Sequence, residues 1–130
     1  MDTAENTLVF PELSYQVVGA AFDVFNELGW GYKEKVYEQA LLLELQKFRL
    51  PIRSQVYIPL QYKENIIGKF FADIIVDDKI LIELKIVSQL GYVHIKQIYP
   101  YLKAARFKLG ILIYFTKDGV KYRRILNPEV

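Results

Sequence analysis

Asp73, Glu83 and Lys85 lie inside "FADIIVDDKILIELK", residues 71–85, a stretch otherwise rich in strand-forming apolar residues. The two apolar runs are joined around Asp77 and Asp78 and read as a hairpin. Ile or Val would pack better at the three charged positions. The loop length decides which of them meet. With a two-residue loop, Asp73 pairs with Ile82 and Glu83 points the other way. With a three-residue loop over 77–79, Val76 pairs with Ile80, Asp73 sits across from Glu83, and Lys85 shares that face. We take the three-residue register. Facing carboxylates repel, and burial disfavours both charges. A divalent cation with hard oxygen ligands offsets that cost; Mg²⁺, or Mn²⁺, fits the ligand type and commonly bridges to phosphate oxygens. Asp73 and Glu83 are therefore candidate metal ligands. Lys85 is a candidate to orient an attacking water and to stabilise charge on a phosphate. The plain alternative is a buried Glu83–Lys85 pair with Asp73 at a strand bend.

Other residues widen the constellation. In "HIKQIYPYLKA", residues 94–104, Gln97 and Tyr101 are spaced i, i+4 and share one helix face. An amide and a phenol there can reach a phosphate or a water. His94 is the one histidine and reads as a partly exposed residue without a ligand role. Further upstream, Glu34, Tyr37, Leu41 and Leu45 run down one helix face. Glu34 stands at the helix N-terminus, where the dipole favours a carboxylate. Glu38 borders the same face, and the choice between the two acids stays open. Lys96, Lys103 and Arg106 are candidates to track a nucleic-acid backbone, which would make binding salt-dependent.

Together these residues resemble a known family. "GYKEKVYEQAL" at 31–41 is similar to the signature of the GxxExxY proteins, through Gly31, Glu34 and Tyr37. The preceding "VVGAAFDVFNELGWG" is similar to that family's first helix and Gly-x-Gly turn. Asp73, Glu83-x-Lys85 and Gln97-xxx-Tyr101 resemble the PD-(D/E)XK nuclease superfamily, in its branch with a QxxxY helix. The likeness runs from residue 13 to about 126. It implies a restriction-endonuclease-like core and a metal-dependent nuclease acting on nucleic acid, with DNA expected ahead of RNA. It implies Asp73 and Glu83 as metal ligands with Glu34 near the metal, Lys85 as the catalytic lysine, and Gln97 and Tyr101 in support. Ala72 replaces the proline of the superfamily name, and Phe25 stands where many members have a His. Pro100 inside the QxxxY segment is a departure that bears on where Tyr101 points. The runner-up function is a module that binds nucleic acid or protein and keeps the nuclease fold without turnover.

The elements that must position these residues read as follows. Leu13 to Leu28 is amphipathic at helical spacing and ends at the "GWG" of 29–31. A second helix covers about Lys33 to Phe48. A strand, 55–62, carries Pro59, which argues for an edge or a bulge. The two strands of the opening stretch read as central strands, apolar on both faces. A helix over 92–105, expected to kink at Pro100, precedes a buried strand over 109–115 and a hairpin through Gly119. The order ααβββαββ implies a mixed sheet flanked by helices, in the α/β to α+β range. Residues 1–12 read as a flexible arm and 13–130 as one domain, the default for 130 residues.

Composition narrows the class. The net charge of +2 does not by itself mark a nucleic-acid binder. With no cysteine there is no disulfide frame and no thiolate metal site, and a cytoplasmic location is expected. No apolar run approaches the ~20 residues of a membrane span. A monomer and a homodimer both stand open.

Overall fold

The computed structural model describes residues 9–87 and 92–130, apart from the side chains of Tyr92 and Val93. Eight elements follow in chain order: α1 (Pro11–Leu28), α2 (Glu34–Gln46), β1 (Ile52–Tyr62), β2 (Asn65–Val76), β3 (Ile80–Ile86), α3 (Tyr92–Ala105), β4 (Leu109–Thr116) and β5 (Gly119–Leu126). The fold is α+β, with the expected order ααβββαββ. The expected arm, residues 1–12, falls largely on residues 1–8, outside the described residues; α1 starts at Pro11, ahead of the expected Leu13. Pro11 suits a helix start, because its missing N–H has no intrahelical partner there anyway.

The sheet order is β1-β2-β3-β4-β5. Only β3 and β4 run parallel, with α3 as the crossover between them. On one face α1 and α2 bury Val17, Val24, Tyr37, Leu41 and Leu45 against Ile74, Ile82, Leu84 and Ile113. On the other, α3 buries Ile98 and Leu102 against Ile75, Leu81 and Leu112. Each such side chain contributes roughly 1.5–3 kcal/mol by leaving water. Gly110 lets α3 approach closely: a Cβ there would stand 2.9 Å from Ile98 Cδ1 and from Leu102 Cδ2. The helix runs on through Pro100. Among the described residues, no helix is long and apolar enough to cross a membrane.

The β2–β3 hairpin has the three-residue loop, with Val76 paired to Ile80. As Pro59 suggested, β1 is an edge strand, and its register shifts between Leu60 and Gln61. One expectation needs correction. β2 is not covered along its length: Ile66, Ile67 and Phe71 are exposed, because its first half pairs only with β1 and projects beyond the helices of one layer.

The most consequential irregularity is shared by β1 and β2. Pairing runs Ile52↔Val76, Arg53↔Ile75, Ser54↔Ile74 and resumes at Val56↔Ala72, skipping Gln55 and Asp73. Gln55 takes φ 49°, a left-handed conformation that costs a non-glycine residue of order 1–3 kcal/mol. Ile52, Ile74 and Val76 pack under α1 and α2, whereas Val56, Ile58, Phe70 and Ala72 pack under α3. All seven have even numbers, so regular strands would place them on one face. Both strands therefore change faces at Gln55 and Asp73.

Candidate active site

That change of faces frees Asp73 from the ladder. The β2–β3 pairing stops at Ile74↔Ile82, and beyond it β3 continues only with β4. The split would leave backbone N–H groups without partners, and buried ones must find them. Two carboxylates serve. The Asp73 amide donates to Glu83 Oε1 at 3.2 Å, and the Leu84 amide donates to Asp73 Oδ2 at 2.8 Å. Asp73 and Glu83 thus meet across the fork, one step past the last β2–β3 pair, through backbone amides and not as a ladder pair.

Glu83 is only 9% exposed. Burial first, then the nearby Asp73 charge, pushes its carboxyl up to about 8, against the pull of the Asp73 amide and Lys85. At neutral pH Glu83 therefore holds a proton. Lys85, half-buried, forms no hydrogen bond or ion pair among the described residues, yet its charge acts on both Glu83 and Glu34.

Helix α2 brings two further carboxylates. Glu38 lies on the buried face beside Tyr37 and Leu41 and is 3% exposed. Glu34, one turn earlier, is exposed, so it is Glu38 rather than Glu34 that continues the buried stripe. Burial, followed by the Asp73 charge, raises both carboxyls above the usual range. Gln55 Nε2 bridges the layers, donating to Glu38 Oε1 at 3.0 Å and to Asp73 Oδ1 at 3.3 Å. Glu38 Oε2 is buried without a hydrogen bond, with Lys35 Nζ 3.9 Å away.

Tyr37 braces the turn before Glu34. It is fully buried, stacks on Phe115 with ring centroids 4.5 Å apart, and donates its hydroxyl to the Gly29 carbonyl at 2.5 Å. Gly31, at φ 120°, supplies backbone that an L-residue rarely adopts. The spacing from Gly31 through Glu34 to Tyr37 thus has a physical basis: a tight turn, an acid at the helix start, and a ring that locks the turn to the core.

Sequence reasoning missed Gln55. A polar residue opening a strand gives no signal, and its importance comes from a partner strand and a positive φ. Gln97 and Tyr101 are placed differently from the charged residues. Gln97 is exposed, Tyr101 stacks on Phe70 with centroids 3.8 Å apart, and no hydrogen bond joins either to the carboxylates. Lys96, Lys103 and Arg106 are exposed on α3 and just past its end, and Lys103 pairs with Glu129 at 3.7 Å. His94 tilts against Tyr114 at 5.7 Å, with its Nδ1 buried and unpartnered.

Among the described residues no three His, Asp or Glu groups form a ready-made metal cage. Mg²⁺ does not need one: it is usually held by one or two carboxylates, with waters and substrate phosphate completing the shell. The donor set fits such an ion. It offers hard oxygens on adjoining elements, a Glu83 carboxyl raised by burial and by the facing Asp73 charge, and a Glu38 Oε2 that is buried without a hydrogen bond.

A family model described as the PD-(D/E)XK nuclease superfamily matches residues 11–125. No curated protein matches the chain significantly. Among solved structures, one described as the crystal structure of SSO0001 is similar, with a TM-score of 0.56 and 22% identity. The likeness covers 95% of this chain and 62% of that one, so this chain spans less than two thirds of that relative's length. At that identity it speaks for the fold, which is restriction-endonuclease-like.

Proposed function

The chain belongs to the PD-(D/E)XK nuclease superfamily, and from that premise we propose that it is a Mg²⁺- or Mn²⁺-dependent nuclease hydrolysing phosphodiester bonds of nucleic acid, with DNA as the first substrate to test. Within the superfamily we assign it to the GxxExxY branch, whose spacing it carries at Gly31, Glu34 and Tyr37. The observation that supports this reading best is the pair Asp73 and Glu83, joined across the strand fork with Lys85 alongside.

Asp73 and Glu83 would hold the cation, with Glu34 or Glu38 as the helix carboxylate behind them. A bound divalent cation supplies Lewis-acid polarisation of a phosphoryl oxygen and neutralises phosphate charge. The chain does the rest. Lys85 orients the attacking water and sets a positive charge where the phosphate gains negative charge. Gln55 holds Glu38 and Asp73 at fixed spacing without adding charge. The fork between β2 and β3 fixes both strand carboxylates through backbone amides, so neither needs to reorganise.

The test is cleavage of labelled single- and double-stranded DNA and RNA with Mg²⁺, Mn²⁺ or EDTA, beside Lys85→Ala. Metal-dependent cutting that falls at least a hundredfold in the variant is expected, a loss in the range of removing one stabilising group. No cutting of any of these substrates would contradict the proposal. Tyr101, stacked on Phe70 and not among the carboxylates, favours a second reading, a nuclease fold that binds without turnover, whose binding would be the same in EDTA and in Mg²⁺.

A further inference from the structure

The bare half of the β1–β2 ribbon carries two aromatic rings directly opposite each other, Tyr57 and Phe71. Both are about half exposed, at 48% and 46%, with ring centroids 5.9 Å apart. Lys69 Nζ stands 5.8 Å from the centre of the Phe71 ring. The other face of the same ribbon is occupied: Val56, Ile58, Phe70 and Ala72 pack under α3, and Tyr101 lies flat on Phe70. The face with Tyr57 and Phe71 is open among the described residues.

Position gives this patch its meaning. Tyr57 is two residues from Gln55, and Phe71 is two residues from Asp73. At ~3.3 Å per strand residue the rings begin about 7 Å along the ribbon from the carboxylates. That is close to the step between successive nucleotides in an extended strand. A pair of exposed rings with a cation beside them is what unpaired bases stack on, and stacking of this kind is tolerant of sequence. Duplex bases are already stacked on each other and offer a protein only their edges and backbone.

We propose that the open face of the β1–β2 ribbon is a stacking platform for single-stranded nucleic acid, in which Tyr57 and Phe71 take adjacent bases, Lys69 takes the phosphate between them, and the strand is led to Asp73 and Glu83. The inference rests on the nuclease reading for its direction and names the substrate class of that site.

Binding of a labelled 12-nucleotide single strand, followed by fluorescence anisotropy in EDTA, tests it without any turnover. The matching duplex and the variants Tyr57→Ala, Phe71→Ala and Phe71→Trp complete the set. Tyr15→Ala removes an exposed ring from α1, outside the ribbon, and serves as the control. The single strand is expected to bind at least tenfold more tightly than the duplex. Each ribbon alanine should weaken it about tenfold or more, Phe71→Trp should keep it, and Tyr15→Ala should leave it unchanged. Thermal melting of each variant within a few degrees of the parent shows that the fold is kept. Wild-type affinity in both alanine variants overturns the proposal, as does equal or tighter binding of the duplex. Self-association that the alanine variants abolish, with no strand binding in the parent, overturns it in favour of a second copy on this face. A parent that binds the strand as expected but cuts nothing refutes the nuclease reading alone. A parent that cuts while its alanine variants bind normally refutes the platform alone.

Discussion

Glu83 carries the sharpest consequence at the scale of single residues. Its carboxyl sits near 8 in the folded chain against an ordinary 4.5, so between those values the native state keeps a proton that the unfolded chain has lost. Stability then falls as pH rises from about 4.5 to about 8, and the loss is complete above that window. Glu83→Gln removes the dependence. In metal-free buffer the variant should be more stable than the parent by a few kcal/mol at pH 9, with the gap closing towards pH 4.5, as read by urea unfolding across that range. A gap that does not vary with pH would refute the raised carboxyl. Gln55 allows a different separation. Gln55→Gly relieves the left-handed backbone but deletes both amide bonds, so stability should stay within about 1–2 kcal/mol of the parent while metal affinity drops. Unchanged affinity by calorimetry would leave Gln55 without a part in the site. The nearness of Asp73 and Glu83 was legible in the sequence, because loop length sets the register up to Ile74↔Ile82, one step short of them; the fork that turns each carboxylate to a backbone amide was not. Gln55 was not, since the partner that gives it meaning lies 18 residues away on another strand.

Elements explain why parts of the site were harder to read. Helical spacing places Gln97 and Tyr101 on a common face, but spacing cannot set the helix rotation. That rotation is set by Ile98 and Leu102, which enter the core and leave Gln97 outside it. The same limit applies to α2, where a stripe through Tyr37, Leu41 and Leu45 accommodates either Glu34 or Glu38 until burial chooses Glu38 for the interior. The seat of α3 depends on Gly110. Gly110→Val should cost about 1–3 kcal/mol by overpacking against Ile98 and Leu102, measured as a lower thermal midpoint. A neutral result would mean that α3 rides free of β4. Tyr37→Phe tests the brace on the turn before Glu34. Loss of its bond to the Gly29 carbonyl should cost about 1 kcal/mol. Turnover should fall more than that stability loss explains, and equal turnover would make the brace purely structural.

Among the described residues the molecule is a sheet with one complete and one incomplete covering. Alternation and helix periodicity made the layers and their order legible. The bare half of β2 was not, because an apolar run reads the same whether a helix covers it or solvent does. The shared change of faces at Gln55 and Asp73 links the two halves: it ends the packed sheet, opens the fork for the carboxylates, and starts the exposed ribbon. If the fork holds a divalent cation, the cation should stabilise the entire fold by mass action, by about 2.7 kcal/mol at a hundredfold excess over its dissociation constant. The most direct measurement is calorimetric titration of Mn²⁺ into the metal-free protein, in buffers of different ionisation enthalpy, at pH 7 and pH 9, for the parent and Glu83→Gln. Saturable binding is expected in the parent, with close to one proton released at pH 7 and little at pH 9, because the cation must displace the proton that Glu83 holds below about 8. The variant should bind at least tenfold more weakly and release almost none. Absence of saturable binding, or binding and proton release that the variant leaves unchanged, would contradict a metal site built on Asp73 and Glu83.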